Sequence, residues 1–326
     1  MSIRFENFYL QEFFVGELFA LPYLLPIFLL NIQLNPLSLN LYFNIGRRLL
    51  IIGLVMLIWI LVNLNQESWQ IDILLIDVFL FSFPILFLVK SFLFKWQIKY
   101  LLNLIFFLCL FVTAFYGRRG AFIDLALIFF FAQLIELTSK RFSKFLIVAR
   151  YTLMFLIFTP LIFFFYSDIG KLYIFERQLS QKGWEDSRGL VVDEFFDDFK
   201  SSEDWIFGRG LNGQVQRSVG AAAETGKGNG IENGYLQIVL KGGNMYFFFV
   251  LYFFTKGFYL SWFKTKNDFT KGFGALFIIY FIGMIGLNQP IIGHRYFLIW
   301  LAVPICFSPF YRSLTNAQVK NMFVSR

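Results

Sequence analysis

The apolar residues of this chain fall in blocks long enough to cross a bilayer, and no other feature constrains its fold as much. A helix needs about 20 consecutive apolar residues to span the hydrocarbon. Such blocks are read at roughly residues 13–31, 49–64, 71–89, 98–116, 120–137, 145–166, 234–255, 272–288 and 291–309. They predict an all-α, polytopic transmembrane helical bundle of about nine or ten spans. Composition agrees: 58% of the residues are hydrophobic, 48 are Phe and only 15% are charged, where a soluble domain carries about a quarter charged residues. The chain divides into N-terminal spans (1–166), one large polar loop (167–233) and C-terminal spans (234–326).

No stretch near Met1 reads as a cleavable leader, so the first span is expected to be retained. Cys109 and Cys306 fall in separate distant spans and form neither a disulfide framework nor a ligand cluster. Basic residues in short loops mark the cytoplasmic side. Lys90, Lys95 and Lys99, then Lys140, Arg141 and Lys144, then Lys256, Lys264, Lys266 and Lys271 alternate along the chain as one face, and Arg312, Lys320 and Arg326 join them. Nine spans counted back from that face place Met1 outside, whereas a further crossing within residues 5–44 would place it inside. The polar loop then faces the opposite compartment. Eleven of the 21 acidic residues lie in it between Asp168 and Glu224, although the whole chain is at +8. Within it Val191, Phe195 and Phe199 recur at helical spacing, a face suited to lying on the membrane, to closing over a cleft, or simply to packing on neighbours.

Several segments of the loop face carry arginine. In GRRG (117–120) Arg118 and Arg119 sit against the charge rule, on the side where basic residues are depleted. A guanidinium grips phosphate at two points and keeps its charge, and flanking glycines admit a ligand to the backbone. The bland alternative is that both snorkel to headgroups. Residues 205–218 hold Arg209 and Arg217 in a glycine-rich stretch that lacks the strand and helix of a phosphate-cradling loop. In IENGYLQIVLKGGNMYFFF (231–249), Lys241, Gly242 and Gly243 interrupt an apolar run, which predicts a broken helix whose first piece covers 232–240. Glu232, Asn233 and Tyr235 open it, either facing a polar cleft or capping its first turn. The only histidine, His294, is followed by Arg295 in the short turn between the last two spans. Asp72, Asp77 and Asp124 lie toward the same side within spans, where ionisable groups are costly. No zinc-ligand spacing, P-loop or Ser/His/Asp arrangement appears, so neither metal nor cofactor is implied. The positive charge follows the membrane rule and gives no support to nucleic-acid binding.

Three of these segments, in this order, resemble the O-antigen polymerase and O-antigen ligase family of bacterial inner membranes. They are GRRGAF (117–122), DSRGL (186–190) with FGRGL (207–211), and ENGYLQIVLKGG (232–243), together covering about residues 100–260. The resemblance implies transfer of a glycan from undecaprenyl pyrophosphate to a sugar hydroxyl at the periplasmic face without a metal ion. It implies pyrophosphate-binding roles for Arg118, Arg119, Arg188 and Arg209, and a base at Glu232 or His294. Ligases of the family carry a histidine where this chain has Glu232 and Asn233, which favours a polymerase. The pathway's flippase and chain-length regulator are the implied protein partners. A lipid-linked sugar transporter should show repeated halves and midplane charges, and neither is visible.

Overall fold

The computed structural model describes residues 29–32, 34–62, 83–115, 119–138, 187–210, 213–218, 226–228, 231, 233–285 and 294–324, and these are mostly helical. In chain order the helices are α1 (Pro36–Val62), α2 (Phe83–Leu88), α3 (Lys90–Leu93), α4 (Trp96–Phe115) and α5 (Arg119–Thr138), then α6 (Ser187–Asp198) and α7 (Ser202–Phe207) in the loop. After a two-stranded ribbon, β1 (Val215–Gln216) and β2 (Lys227–Gly228), come α8 (Gly234–Phe263), α9 (Asp268–Gly283), α10 (His294–Phe307), α11 (Pro309–Ser313) and α12 (Asn316–Val324). Pro36–Val62, Ala121–Thr138 and Gly234–Phe263 are long and apolar enough to cross a membrane, the mark of a membrane protein. Ile98–Thr113 and Phe297–Phe307 are shorter apolar helices. The blocks expected at 13–31 and 145–166 and the start of 71–89 lie outside the described residues, apart from a 3₁₀ turn at Leu29–Asn31. The second block begins earlier than its apolar run: α1 starts at Pro36, where the Asn35 side chain accepts from the Leu37 N–H (3.0 Å) and proline suits a first helical position.

Helix α1 shows why the chain needs an apolar solvent. Leu39, Phe43, Gly46, Leu50, Gly53, Leu57 and Ile60 are buried in alternating steps of four and three, a seam against neighbouring helices. The opposite face presents Leu41, Ile45, Ile51, Ile52, Val55, Ile58 and Val62 outward. From Ile51 to Val62 that exposed face is apolar throughout, which suits lipid and not water, while Asn44 and Arg48 are exposed nearer the start of the helix.

At the centre is α9, packed against α2, α5, α8 and α10. Its sequence explains the position. Gly272 meets Val89 and Gly274 meets Ser261, so small residues let helices approach closely. Phe269, Phe273 and Phe277 fill the space between, with Phe269 and Phe273 in edge contact with Phe43.

The two ends of this helix cluster differ chemically. At one, Lys90 pairs with Glu136 (3.4 Å), Lys271 reaches Thr138, the Lys266 N–H donates to Arg312, and Asn316 donates to Asp268. Members of the basic set expected on one face therefore do share an end. The C-terminal segment is locked there, with Phe323 packed on Phe43 and Phe269.

Candidate functional site

The other end gathers three helix starts around the close of α9. The Gly234 N–H donates to the Met284 carbonyl (2.9 Å), and the Asn233 amide donates to Ile285 (3.3 Å). On α5, Asp124 closes against the same turn: a Cβ on Gly283 would lie 2.9 Å from its carboxylate oxygen. Helix α10 runs antiparallel to α9, since its Cys306 thiol meets the carbonyl of Thr270 near the start of α9. The first turns of α5, α8 and α10 thus point to one end. A helix start carries about half a positive charge from its unpaired N–H groups.

Placed at this end are the backbones of Arg119, first in α5, and of His294 and Arg295, which open α10. Asn233 and Tyr235 are there too, and both are engaged in structure. The Asn233 side chain caps α8 by accepting from the Tyr235 and Leu236 N–H groups at 3.0 and 3.3 Å. The Tyr235 hydroxyl donates to the Phe281 carbonyl, tying α8 to α9. Of the two meanings open for Asn233, the helix cap is realised. Arg118 and Glu232 lie outside the described residues.

The loop supplies a second unit, docked along α8 from its start. As expected, α8 is broken at the glycine pair. Gly243 has φ +66° and ψ −173°, values closed to helix and costly for any residue with a Cβ. The break frees the Leu240 carbonyl, which a continuous helix would pair with the Asn244 N–H. The Arg209 N–H takes it at 2.7 Å. Backbone lies directly on backbone here: a Cβ on Gly243 would fall 2.1 Å from the Ile206 carbonyl oxygen, and one on Gly208 would fall 2.6 Å from the Gly242 nitrogen. Lys241 is buried and donates to the Gly213 carbonyl (2.9 Å), closing the glycine-rich loop onto the helix.

Arg209 is the centre of this junction. Its Nε donates to Asp204 (2.9 Å), Nη1 to the Asp198 carboxylate (2.5 Å) and the Gln214 carbonyl (2.8 Å), and Nη2 to the Asp198 carbonyl (2.8 Å). The guanidinium also lies 5.0 Å from the Phe199 ring. Most of its donors are committed within the protein, so in this arrangement Arg209 holds the loop's shape. Burial by itself would raise the Asp198 carboxyl, but hydrogen bonds from Arg209 and the Gln216 N–H and the charges of Arg209 and Lys227 outweigh it, leaving the group below the ordinary carboxylate value. Arg188 is the second residue of α6, and half-buried Arg217 pairs its N–H with the Gly226 carbonyl across the ribbon. The loop arginines therefore belong to the unit docked on α8 at residues 240–243, apart from those at the helix starts. The face formed by Val191, Phe195 and Phe199 packs inward on Val215, Ile231, Val239 and Leu240, the bland alternative among those open for it.

Sequence reasoning did not find the Asp198 and Asp204 partners of Arg209, nor the close contact of Asp124 with Gly283. Asp124 was visible only as an acidic residue in an apolar run. Among the described residues no three histidine, cysteine or carboxylate side chains form a metal-binding group. The chain matches no protein-family model, no curated protein and no solved structure.

Proposed function

We propose that this chain is a multi-pass bacterial inner-membrane polysaccharide polymerase. It transfers glycan from undecaprenyl pyrophosphate to a sugar hydroxyl of a lipid-linked repeat unit at the periplasmic face. The observation that supports the reading is the meeting, at one end of the helices, of three segments singled out from the sequence: the start of α5 within GRRG, the start of α8 within ENGYL and the start of α10 at HRYF. Three helix dipoles make that end complementary to an anion, and the segments that bring the helix starts there carry arginine in their sequence.

The chemistry asks little more. The acceptor hydroxyl oxygen bonds to the anomeric carbon, the bond from that carbon to the pyrophosphate oxygen breaks, and the electron pair leaves with the pyrophosphate. Fixed donors that neutralise this developing charge lower the barrier. Arg118, Arg119 and Arg295 are assigned to that task and Arg188 to the glycan side, while Arg209 and Arg217 shape the loop. Glu232 or His294 accepts the hydroxyl proton. The large loop is periplasmic, the Lys90 end is cytoplasmic, and the lipid-linked oligosaccharide arrives through the flippase of the same pathway, with a chain-length regulator as a second partner.

Deletion of the gene tests the reading. A polymerase loss leaves single repeat units, on the carrier or on a lipid core, and no ladder above them by polysaccharide electrophoresis. Long polymer retained on the carrier lipid would instead identify a ligase, and an unchanged ladder would reject both activities in favour of a transporter or structural role.

A further inference from the structure

The loop also carries an aromatic surface that the transfer chemistry leaves unused. Phe196 and Trp205 stack with ring centroids 5.9 Å apart and planes at 26°, and Phe196 is 51% exposed. Trp205 is seated edge-on against buried Phe199 and Phe195, at 5.1 and 6.0 Å, so the core beneath sets its orientation. Around the pair, Asp193 and Asp197 on α6, Lys200 between the helices and Glu203 on α7 are exposed, as are Ile206 and Phe207 at the end of α7. Asp193 lies three residues before Phe196 and four before Asp197, so it is a helical neighbour of both, and Asp197 borders the ring from the adjoining side.

This mixture decides what fits. Seating the rings in a bilayer or a protein core would draw several ionised groups out of water, at a cost no apolar contact of this size offsets. A neutral saccharide has the opposite character. Its C–H face packs on an aromatic ring, and its hydroxyls donate to carboxylate oxygens, which only accept. We propose that Phe196 and Trp205, with Asp193 and Asp197, form a saccharide-binding platform occupied by the growing glycan. The identity of that glycan rests on the polymerase reading; the sugar-binding chemistry does not. The loop grips α8 at residues 240–243, whereas the capped start of that helix is at 233, about 10 Å along the axis at 1.5 Å per residue. The platform therefore holds chain already made, away from the reacting sugar. Retention there keeps a polymer bound for further additions.

The test uses Phe196→Ala in the full-length protein, a substitution at a half-exposed ring. Detergent-purified wild-type and variant proteins are titrated by calorimetry with glycan released by mild acid from the carrier lipid of the same cells. Chain lengths are compared by electrophoresis in cells carrying each form. The expected result is roughly 3- to 10-fold weaker glycan binding and a shorter modal chain with the first addition unchanged, with both reversed in Phe196→Tyr. Equal binding by both proteins would overturn the platform, as would an equal loss of first and later additions. Binding by neither would overturn it, and quenching of tryptophan fluorescence by brominated lipid that is smaller in Trp205→Phe than in the wild type would identify a membrane contact instead. If the deletion strain keeps its ladder while Phe196→Ala still weakens glycan binding, the polymerase reading fails and the platform stands.

Discussion

The junction between the loop and α8, centred on Arg209, and the contact of Lys90 with Glu136 at the far end of the helices hold their cations in very different surroundings. Arg209 donates four side-chain hydrogen bonds, lies against an aromatic face and has a side chain 20% exposed, and glycine backbones press together beside it. Lys90 is 5% exposed, 3.0 Å from Asn103, 3.4 Å from Glu136 and 4.0 Å from the centre of the Phe87 ring. The first arrangement spreads its stability over many modest contacts and gives a loop its shape. The second concentrates charge inside an apolar helix cluster, where a missing partner is expensive.

The comparison breaks most sharply at Gly243. Gly243→Ala forces a Cβ into the Ile206 carbonyl and onto a positive φ, so a loss on the order of 3 kcal/mol or more is expected. Thermal unfolding in detergent and limited proteolysis between 187 and 218 should both show it. Gly226→Ala is the control, because its φ is also positive (+67°) but nothing lies within 4 Å of the new Cβ. It should cost only about 1–2 kcal/mol. Equal effects from the two would mean that backbone strain, and not the contact of loop with helix, stabilises the junction.

A smaller loss is expected at the other cation. Lys90→Met removes the charge facing a mostly buried carboxylate and should cost about 3 kcal/mol, and Glu136→Leu added to it should recover much of that by removing the second charge. A double variant no more stable than Lys90→Met alone would show that the pair is not energetically coupled.

The smallest effect is one of pH and concerns only the loop. The folded-state pKa of Asp198 is depressed, so its stabilisation is complete above the unfolded carboxylate value of about 4 and is lost as pH falls through the lower folded value. Hydrogen-exchange protection factors of residues 198–216, corrected for the intrinsic rate at each pH, should be unchanged from pH 7 to 5 and should fall only below about pH 4. Asp198→Asn should remove that acid step. Exchange that quickens in acid equally in the variant would take Asp198 out of the transition.

What the sequence determined by itself is whatever depends on neighbours along the chain. The apolar block at 120–137 is legible because its length against the bilayer is a local property, and α5 runs Arg119–Thr138. The break near Gly243 is legible because two glycines after Lys241 weaken any helix, and the spacing of Val191, Phe195 and Phe199 because one helical face repeats locally. The tertiary structure decided where polar groups find partners. Arg209 reads as a free phosphate-binding group until Asp198 and Asp204 are folded around it. Tyr235 and Asn233 read equally as cleft residues or as parts of a helix cap until the cap and their partners at 281 and 285 are seen. Asp124 and Gly283 are far apart along the chain and meet only because α5 packs antiparallel to α9. A donor's use depends on which acceptors are within about 3 Å of it. Contacts on that scale between distant segments are set by how the helices pack.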